Sequence, residues 1–111
     1  MKSEYFLGID VSTTGSKAIL VDESGQVAST ASSPHTLQTP WPLWSEQSPE
    51  EWWTAGTASI RTVLQQADAS GESVRAVGLT GQMHGLVLLD ESGWVLRPAI
   101  LWNDQRTQVP C

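Results

Sequence analysis

Three short stretches of this chain gather residue types that can hold a phosphorylated ligand or a polyol. The first, Asp10-Val11-Ser12-Thr13-Thr14-Gly15-Ser16-Lys17, sets backbone N–H groups and four hydroxyls around one carboxylate and ends on a cation. Phosphoryl transfer needs that set: N–H and hydroxyl donors for phosphate oxygens, a carboxylate to place Mg²⁺ or its waters, and a positive charge near the oxygens. It is not a Walker loop, because Gly-x-x-x-x-Gly-Lys-Ser/Thr is absent and no helix follows directly. The second stretch is Gly81-Gln82-Met83-His84-Gly85, where glycines allow close backbone approach and Gln82 and His84 offer polar tips suited to a polyol or keto sugar. The third, Trp102-Asn103-Asp104-Gln105-Arg106, puts a planar ring beside an amide and a carboxylate, a common way to hold sugar C–H faces and hydroxyls. Each has a plainer alternative. The first can be a polar hairpin in which Asp10 and Ser12 bond their own backbone. His84 can be a satisfied structural histidine and Met83 a packing residue. Asp104 and Arg106 can simply pair within a turn.

These stretches must be positioned by the elements between them. Tyr5 to Ile9 is too short for a helix and rich in β-formers, which predicts a strand buried on both faces with Asp10 at its C-terminal end. Lys17 to Asp22 and Gln26 to Ser33 read as a second and third strand, joined through Gly25, so the first three strands form an antiparallel meander. Residues 34–47 hold Pro34, Pro40 and Pro42 with no sustained period. They form a long loop whose Trp41, Leu43 and Trp44 are expected to lid the domain's own core. Ser48-Pro49-Glu50-Glu51 predicts a helix start with a capping box, and Trp52, Gly56, Ile60, Val63, Leu64 and Ala67 make a stripe facing the sheet until Ala69-Ser70-Gly71 ends the helix. Val74 to Thr80 is then a strand parallel to the first, because the helix has carried the chain back across the sheet. If those two strands are neighbours, Asp10 and His84 face one crevice. A hairpin of Leu86 to Asp90 and Trp94 to Leu96 follows, its turn Asp90-Glu91-Ser92-Gly93-x-Val95 repeating Asp22-Glu23-Ser24-Gly25-x-Val27.

Composition narrows the class. The 111 residues carry 12 acidic against 6 basic side chains, net −6, with no run of Lys or Arg, which argues against a nucleic-acid partner. At 12.1 kDa a compact fold would expose roughly 6,000 Å², enough burial for one small domain and not for two. The single Cys111 excludes an internal disulfide or a CxxC site, which suits a reducing cytoplasm. The early apolar run is too short for a signal peptide or a membrane span.

Leu7-Gly8-Ile9-Asp10-Val11-Ser12-Thr13-Thr14-Gly15-Ser16-Lys17, Trp44-Ser45-Glu46-Gln47 before Trp52-Trp53, Gly78-Leu79-Thr80-Gly81-Gln82-Met83-His84-Gly85, and Arg97-Pro98-Ala99-Ile100-Leu101-Trp102-Asn103-Asp104 together resemble the start of an FGGY-family carbohydrate kinase, in order and over nearly the whole chain. Within that family the Gln-Met-His-Gly and Ile-Leu-Trp-Asn-Asp stretches most resemble xylulokinases. The resemblance implies an α/β, ribonuclease H-like (actin-like ATPase) mixed sheet, with an antiparallel meander plus a parallel strand and a packed helix. It implies ATP and Mg²⁺ as cofactors, with Asp10 near the metal and Thr13, Thr14 and Lys17 near the nucleotide phosphates. Gln82, Met83 and His84 are then sugar contacts, with Asn103 and Asp104 as further ones. Ser12 departs from the pattern, since many relatives have Gly there.

On this reading residues 1–111 are the N-terminal part of the kinase's N-terminal domain. The general base and the C-terminal domain lie downstream, so the fragment alone is expected to be inactive. The expected substrate is D-xylulose, phosphorylated to D-xylulose 5-phosphate. The alternatives are a kinase of ribulose, glycerol or gluconate, or a non-catalytic actin-fold module. The other expectations are a small-molecule sugar as partner, no nucleic acid, no membrane, a homodimer at full length, and a cytoplasmic location.

Overall fold

A computed structural model describes residues 3–107. Cys111 lies outside them. Strands β1 (Tyr5–Val11), β2 (Gly15–Asp22) and β3 (Val27–Pro34) form the expected meander. The two-residue β4 (Glu46–Gln47), helix α1 (Pro49–Gln66), β5 (Val74–Gly81) and the two-residue β6 (Ala99–Ile100) follow. The main sheet has the order β3-β2-β1-β5, with β1 and β5 parallel. The α/β class and the mixed sheet with its packed helix are therefore as expected. The pairing of β4 with β6 is new, since strands of two residues carry no readable period.

One face of the sheet meets α1. Leu7 on β1, Ala18 and Leu20 on β2 and Val63 on α1 form the buried cluster, with Ile9, Ile60 and Leu64 packed against it. The helix lies over β2 and β3, and hydroxyls stitch it down. Ser29 Oγ donates to the Val63 carbonyl at 2.7 Å, and Ser59 Oγ donates to the Ser16 carbonyl at 3.1 Å. The Ser/Thr-rich third strand thus keeps its buried polar groups bonded, which a buried hydroxyl requires.

Three local expectations differ from the structure. β1 is not buried on both faces, for Phe6 on the side away from α1 is 43% exposed. Ser48 is the N-cap, but its hydroxyl bonds the Glu50 carboxylate at 2.8 Å instead of a helix N–H. Glu51 meanwhile accepts from the Thr36 N–H at 3.2 Å, so its carboxylate ties down the long loop and no capping box closes. That loop does not lid the core either. Trp41 and Leu43 stay exposed, and Trp44 packs under Arg106.

The repeated turn is one solution used twice. Asp22 Oδ1 accepts from the Ser24 and Gln26 N–H groups, Asp90 Oδ1 accepts from those of Ser92 and Trp94, and Gly25 and Gly93 hold φ of 88° and 86°. Only glycine adopts that backbone without strain. The Ser24 hydroxyl, which donates to Asp22 Oδ1 at 2.6 Å, and then the Gln26 N–H hold the Asp22 carboxyl below its ordinary pKa. Around Asp90 the expected hairpin is reduced to the turn and an isolated Leu89–Val95 bridge.

The chain is elongated, 61 × 29 × 19 Å, and its accessible surface of 7618 Å² exceeds the roughly 6,000 Å² of a compact fold of this mass. Many large apolar side chains are exposed, among them Val77, Leu79, Trp94 and Leu96. Because α1 covers β2 and β3, the helix-side surface of β1 and β5 is an open trough of about 860 Å³ lined by Ile9, Trp52, Ile60 and Leu79, the last 74% exposed. A bare apolar surface of this kind drives association. The 111-residue chain expressed alone is expected to self-associate, and Leu79→Lys should reduce that. Sedimentation of the unaltered chain as a monodisperse monomer with a cooperative melt would contradict the expectation.

Candidate functional site

The parallel register decides where the first two stretches go. Asp10 lies beside Thr80 and Val11 beside Gly81, so β1 and β5 end together. The Gln82 N–H still donates to the Val11 carbonyl at 2.9 Å, carrying the pairing one residue into the second loop. The Ser12–Gly15 turn and the Gln82–Gly85 loop therefore leave one edge of the sheet. Gly15 is required there by close approach, since a Cβ would stand 2.7 Å from the Ser33 carbonyl oxygen.

Side chains join the three stretches directly. Thr13 Oγ1 donates to Gln82 Oε1 at 3.1 Å, across 69 residues of sequence. Trp102 Nε1 donates to Thr13 Oγ1 at 3.0 Å, across 89. Asp10 and Lys17 are direct cross-strand neighbours on the face away from α1, both exposed, so a cation and a carboxylate stand side by side one residue before the turn. Thr14 is exposed at the turn, with its carbonyl accepting from the His35 N–H at 2.9 Å. Ser12 Oγ donates to the Gly15 carbonyl at 2.8 Å, so this side chain folds back into its own turn.

In the second loop Met83 is 71% exposed and His84 is exposed with φ of 62°. Leu43 and Asp68 share this left-handed backbone, and His, like Asp, adopts it more readily than most side chains. Gln82 is partly buried and its amide is bonded at both ends. Asn103 is partly buried, and its Oδ1 is a buried atom with no partner among the described residues.

Asp104 is placed differently from a free sugar contact. Its carboxylate accepts from the Ser45 N–H at 2.6 Å and from the Arg106 guanidinium at 2.7 to 3.0 Å, and its side chain is 2% exposed. Arg106 also reaches Glu46 Oε2 at 2.6 Å, where Arg97 bonds as well, and lies 3.7 Å over the Trp44 ring. This clamp fastens the loop before α1 to the segment that carries Trp102 and Asn103. The Arg106 hydrogen bonds dominate in holding the Asp104 carboxyl down at about 2, and the same contacts raise the pKa of Arg106.

Gln47 and Trp52 were missed as site residues. The Gln47 carboxamide is fully buried at the edge, Nε2 donating to the Thr13 carbonyl and Oε1 accepting from Trp52 Nε1 at 2.8 Å and Gln82 Nε2 at 3.1 Å. The sequence signal was that Trp44-Ser45-Glu46-Gln47 before Trp52-Trp53 is one of the stretches carrying the family resemblance, although its residue types announce no chemistry of their own. Among the described residues no group of three His, Cys, Asp or Glu side chains could hold a metal ion. A divalent cation here would rest on Asp10, with waters and ligand oxygens completing its shell. Mg²⁺ is commonly held that way.

Residues 5–111 match the N-terminal domain of the FGGY family of carbohydrate kinases. The xylulose kinase of Klebsiella pneumoniae is 47% identical over 106 residues, 96% of this chain and 22% of that protein. The crystal structure of xylulose kinase from Rhodospirillum rubrum superposes with a TM-score of 0.83 at 36% identity, over 93% of this chain and 21% of that one. A glycerol kinase from Plasmodium falciparum with ADP does so at 0.83 and 26% identity, over 97% and 22%. The chain spans about a fifth of the length of the relatives it matches.

The clamp carries a pH signature. Because the folded-state pKa of Asp104 is depressed, its stabilisation is complete above the ordinary carboxylate value of about 3.9. It is lost as pH falls from there through about 2. Asp104→Asn should therefore lower the melting temperature at pH 7 and make progressively less difference toward pH 2. Equal losses at both ends of that range in thermal melts would show that the carboxylate is not what holds the loop.

Proposed function

The chain belongs to the FGGY family of carbohydrate kinases, and from that premise we propose that it is the N-terminal part of an ATP-dependent kinase acting on D-xylulose. The observation that carries the reading is the Thr13–Gln82 hydrogen bond, which puts a phosphate-suited turn and a sugar-suited loop against each other at one sheet edge. In the reaction the 5-hydroxyl oxygen of the sugar bonds to the γ-phosphorus of ATP as the bond to the β,γ-bridging oxygen breaks. The hydroxyl proton passes to a general base supplied by polypeptide beyond residue 111. Backbone N–H groups of Thr13 and Thr14, the Thr14 hydroxyl and Lys17 hold nucleotide phosphates. Asp10 holds Mg²⁺, which when bound neutralises charge on the phosphate oxygens.

Gln82, Met83, His84 and Asn103 contact the sugar, the exposed His84 and Met83 being the side chains most open to it. Asp104 keeps the Asn103 segment in place. ATP as the nucleotide is supported by the ADP in the glycerol kinase structure, and xylulose by the names of the relatives nearest 40–47% identity. A cytoplasmic location and a full-length homodimer belong to the same reading. No helix among the described residues is long and apolar enough to cross a membrane. A second reading keeps the chemistry and changes the acceptor to glycerol or gluconate, because a glycerol kinase shares this fold.

The test is a sugar panel on the full-length polypeptide with Mg²⁺-ATP, D-xylulose giving the highest kcat/KM and the 111-residue chain alone giving no turnover. Asp10→Ala should lower kcat by on the order of 10²-fold, the worth of a lost electrostatic stabiliser. His84→Ala should raise the sugar KM about five- to tenfold, the worth of one hydrogen bond. A panel in which no sugar or polyol is phosphorylated would remove the kinase reading, and unchanged KM in His84→Ala would remove His84 from the sugar.

A further inference from the structure

Gln47 lies between the loops given to nucleotide and sugar, without belonging to either. Burying a carboxamide is costly unless its atoms are bonded. Here each bond also dictates the next. The Trp52 indole can only donate, so the atom it meets, 2.8 Å away, must be the Gln47 oxygen. The nitrogen therefore faces the Thr13 carbonyl, which can only accept. Gln82 must then turn its own nitrogen to Gln47 Oε1, at 3.1 Å, which leaves Gln82 Oε1 facing Thr13 Oγ1. The Thr13 hydroxyl gives its single proton to Gln82, and a lone pair accepts the Trp102 indole N–H at 3.0 Å. Two donor-only indoles thus set the polarity of a closed ring of bonds among Gln47, Thr13 and Gln82. No member can rotate without breaking at least two of them.

We infer that Gln47 is a positioning residue for phosphoryl transfer. It touches no ligand and acts through Thr13 and Gln82, holding the nucleotide turn and the sugar loop at one fixed separation. The inference rests on the kinase reading and adds a residue to it. The ring explains why Thr13 contributes backbone groups to the turn while its hydroxyl proton is committed internally. It also gives Trp52 a role beyond packing, as the donor that orients the amide. In-line transfer depends steeply on the placement of acceptor against phosphorus, and misplacement by about 1 Å costs on the order of 10²-fold in rate.

The experiment uses the full-length polypeptide with Gln47→Met, which keeps side-chain length and removes every bond of the ring to residue 47. Trp52→Phe is the milder variant, since it keeps an aromatic ring in place and removes one donor. Per titrated active site, Gln47→Met should lose on the order of 10²-fold in kcat while KM for ATP and for sugar each stay within about threefold. Trp52→Phe should lose about tenfold, and the double variant should be no worse than Gln47→Met alone, because both act through one ring. A residue that merely supports the fold would lower the melting temperature and yield and leave kcat per active site unchanged. That result, or additive losses in the double variant, would overturn the inference.

Wild-type turnover is measured first and judges the kinase reading separately. Should the wild type phosphorylate no sugar, the ring is read by fluorine resonances of fluorotryptophan at position 102. Gln47→Met should shift that resonance although no bond joins the two residues. If Gln47→Met does not fold, Trp52→Phe must shift it. An unmoved resonance overturns the ring.

Discussion

The parallel pairing of β1 with β5 is the constraint on which the rest depends. A parallel neighbour ends where its partner ends, so the chain segments that follow Val11 and Gly81 leave the sheet at the same edge although seventy residues separate them. The crossover through α1 makes the pairing possible, and burial of Leu7, Ala18, Leu20 and Val63 under the helix anchors it. An antiparallel β5 would have carried Gln82, Met83 and His84 to the opposite end of the sheet. Ligands in such sheets bind beyond the carboxyl ends of the strands for the same geometric reason.

Polar satisfaction then sharpens what the sheet brings together. The edge holds buried amides and an indole that cannot be left unbonded, and each finds its partner in a different stretch of chain. A few tertiary hydrogen bonds therefore do for the loops what ladders do for strands. The Glu46, Asp104, Arg97 and Arg106 clamp does the same on the next layer out, with Trp44 stacked beneath Arg106. Buried charges of opposite sign persist because each carboxylate has more than one donor.

The apolar surface follows from the position of the helix. α1 covers β2 and β3 and leaves the β1–β5 side as an open trough with Leu79 bare. No element among the described residues covers that side.

By itself the sequence determined the elements and their directions. Apolar β-rich runs bounded by glycine and polar clusters marked β1, β2, β3 and β5, while Pro49 after Ser48 and a 3.6-residue stripe marked α1. A helix between two strands required a parallel return. The chemistry of Asp10 to Lys17 and of Gln82 to His84 was readable because side-chain types announce what they can bind. Tertiary structure alone decided which polar groups of distant stretches answer one another. Gln47 became a hub through Thr13 and Gln82, 34 and 35 residues away, and Asp104, whose pairing with Arg106 is the local turn the sequence already allowed, became a clamp through the Ser45 N–H 59 residues away. No local pattern encodes a hydrogen bond at that separation. Likewise the two-residue β4–β6 pair, the exposed side of β1 and the loop that bypasses the core depend on what packs against them, and that is a property of the assembled sheet and helix.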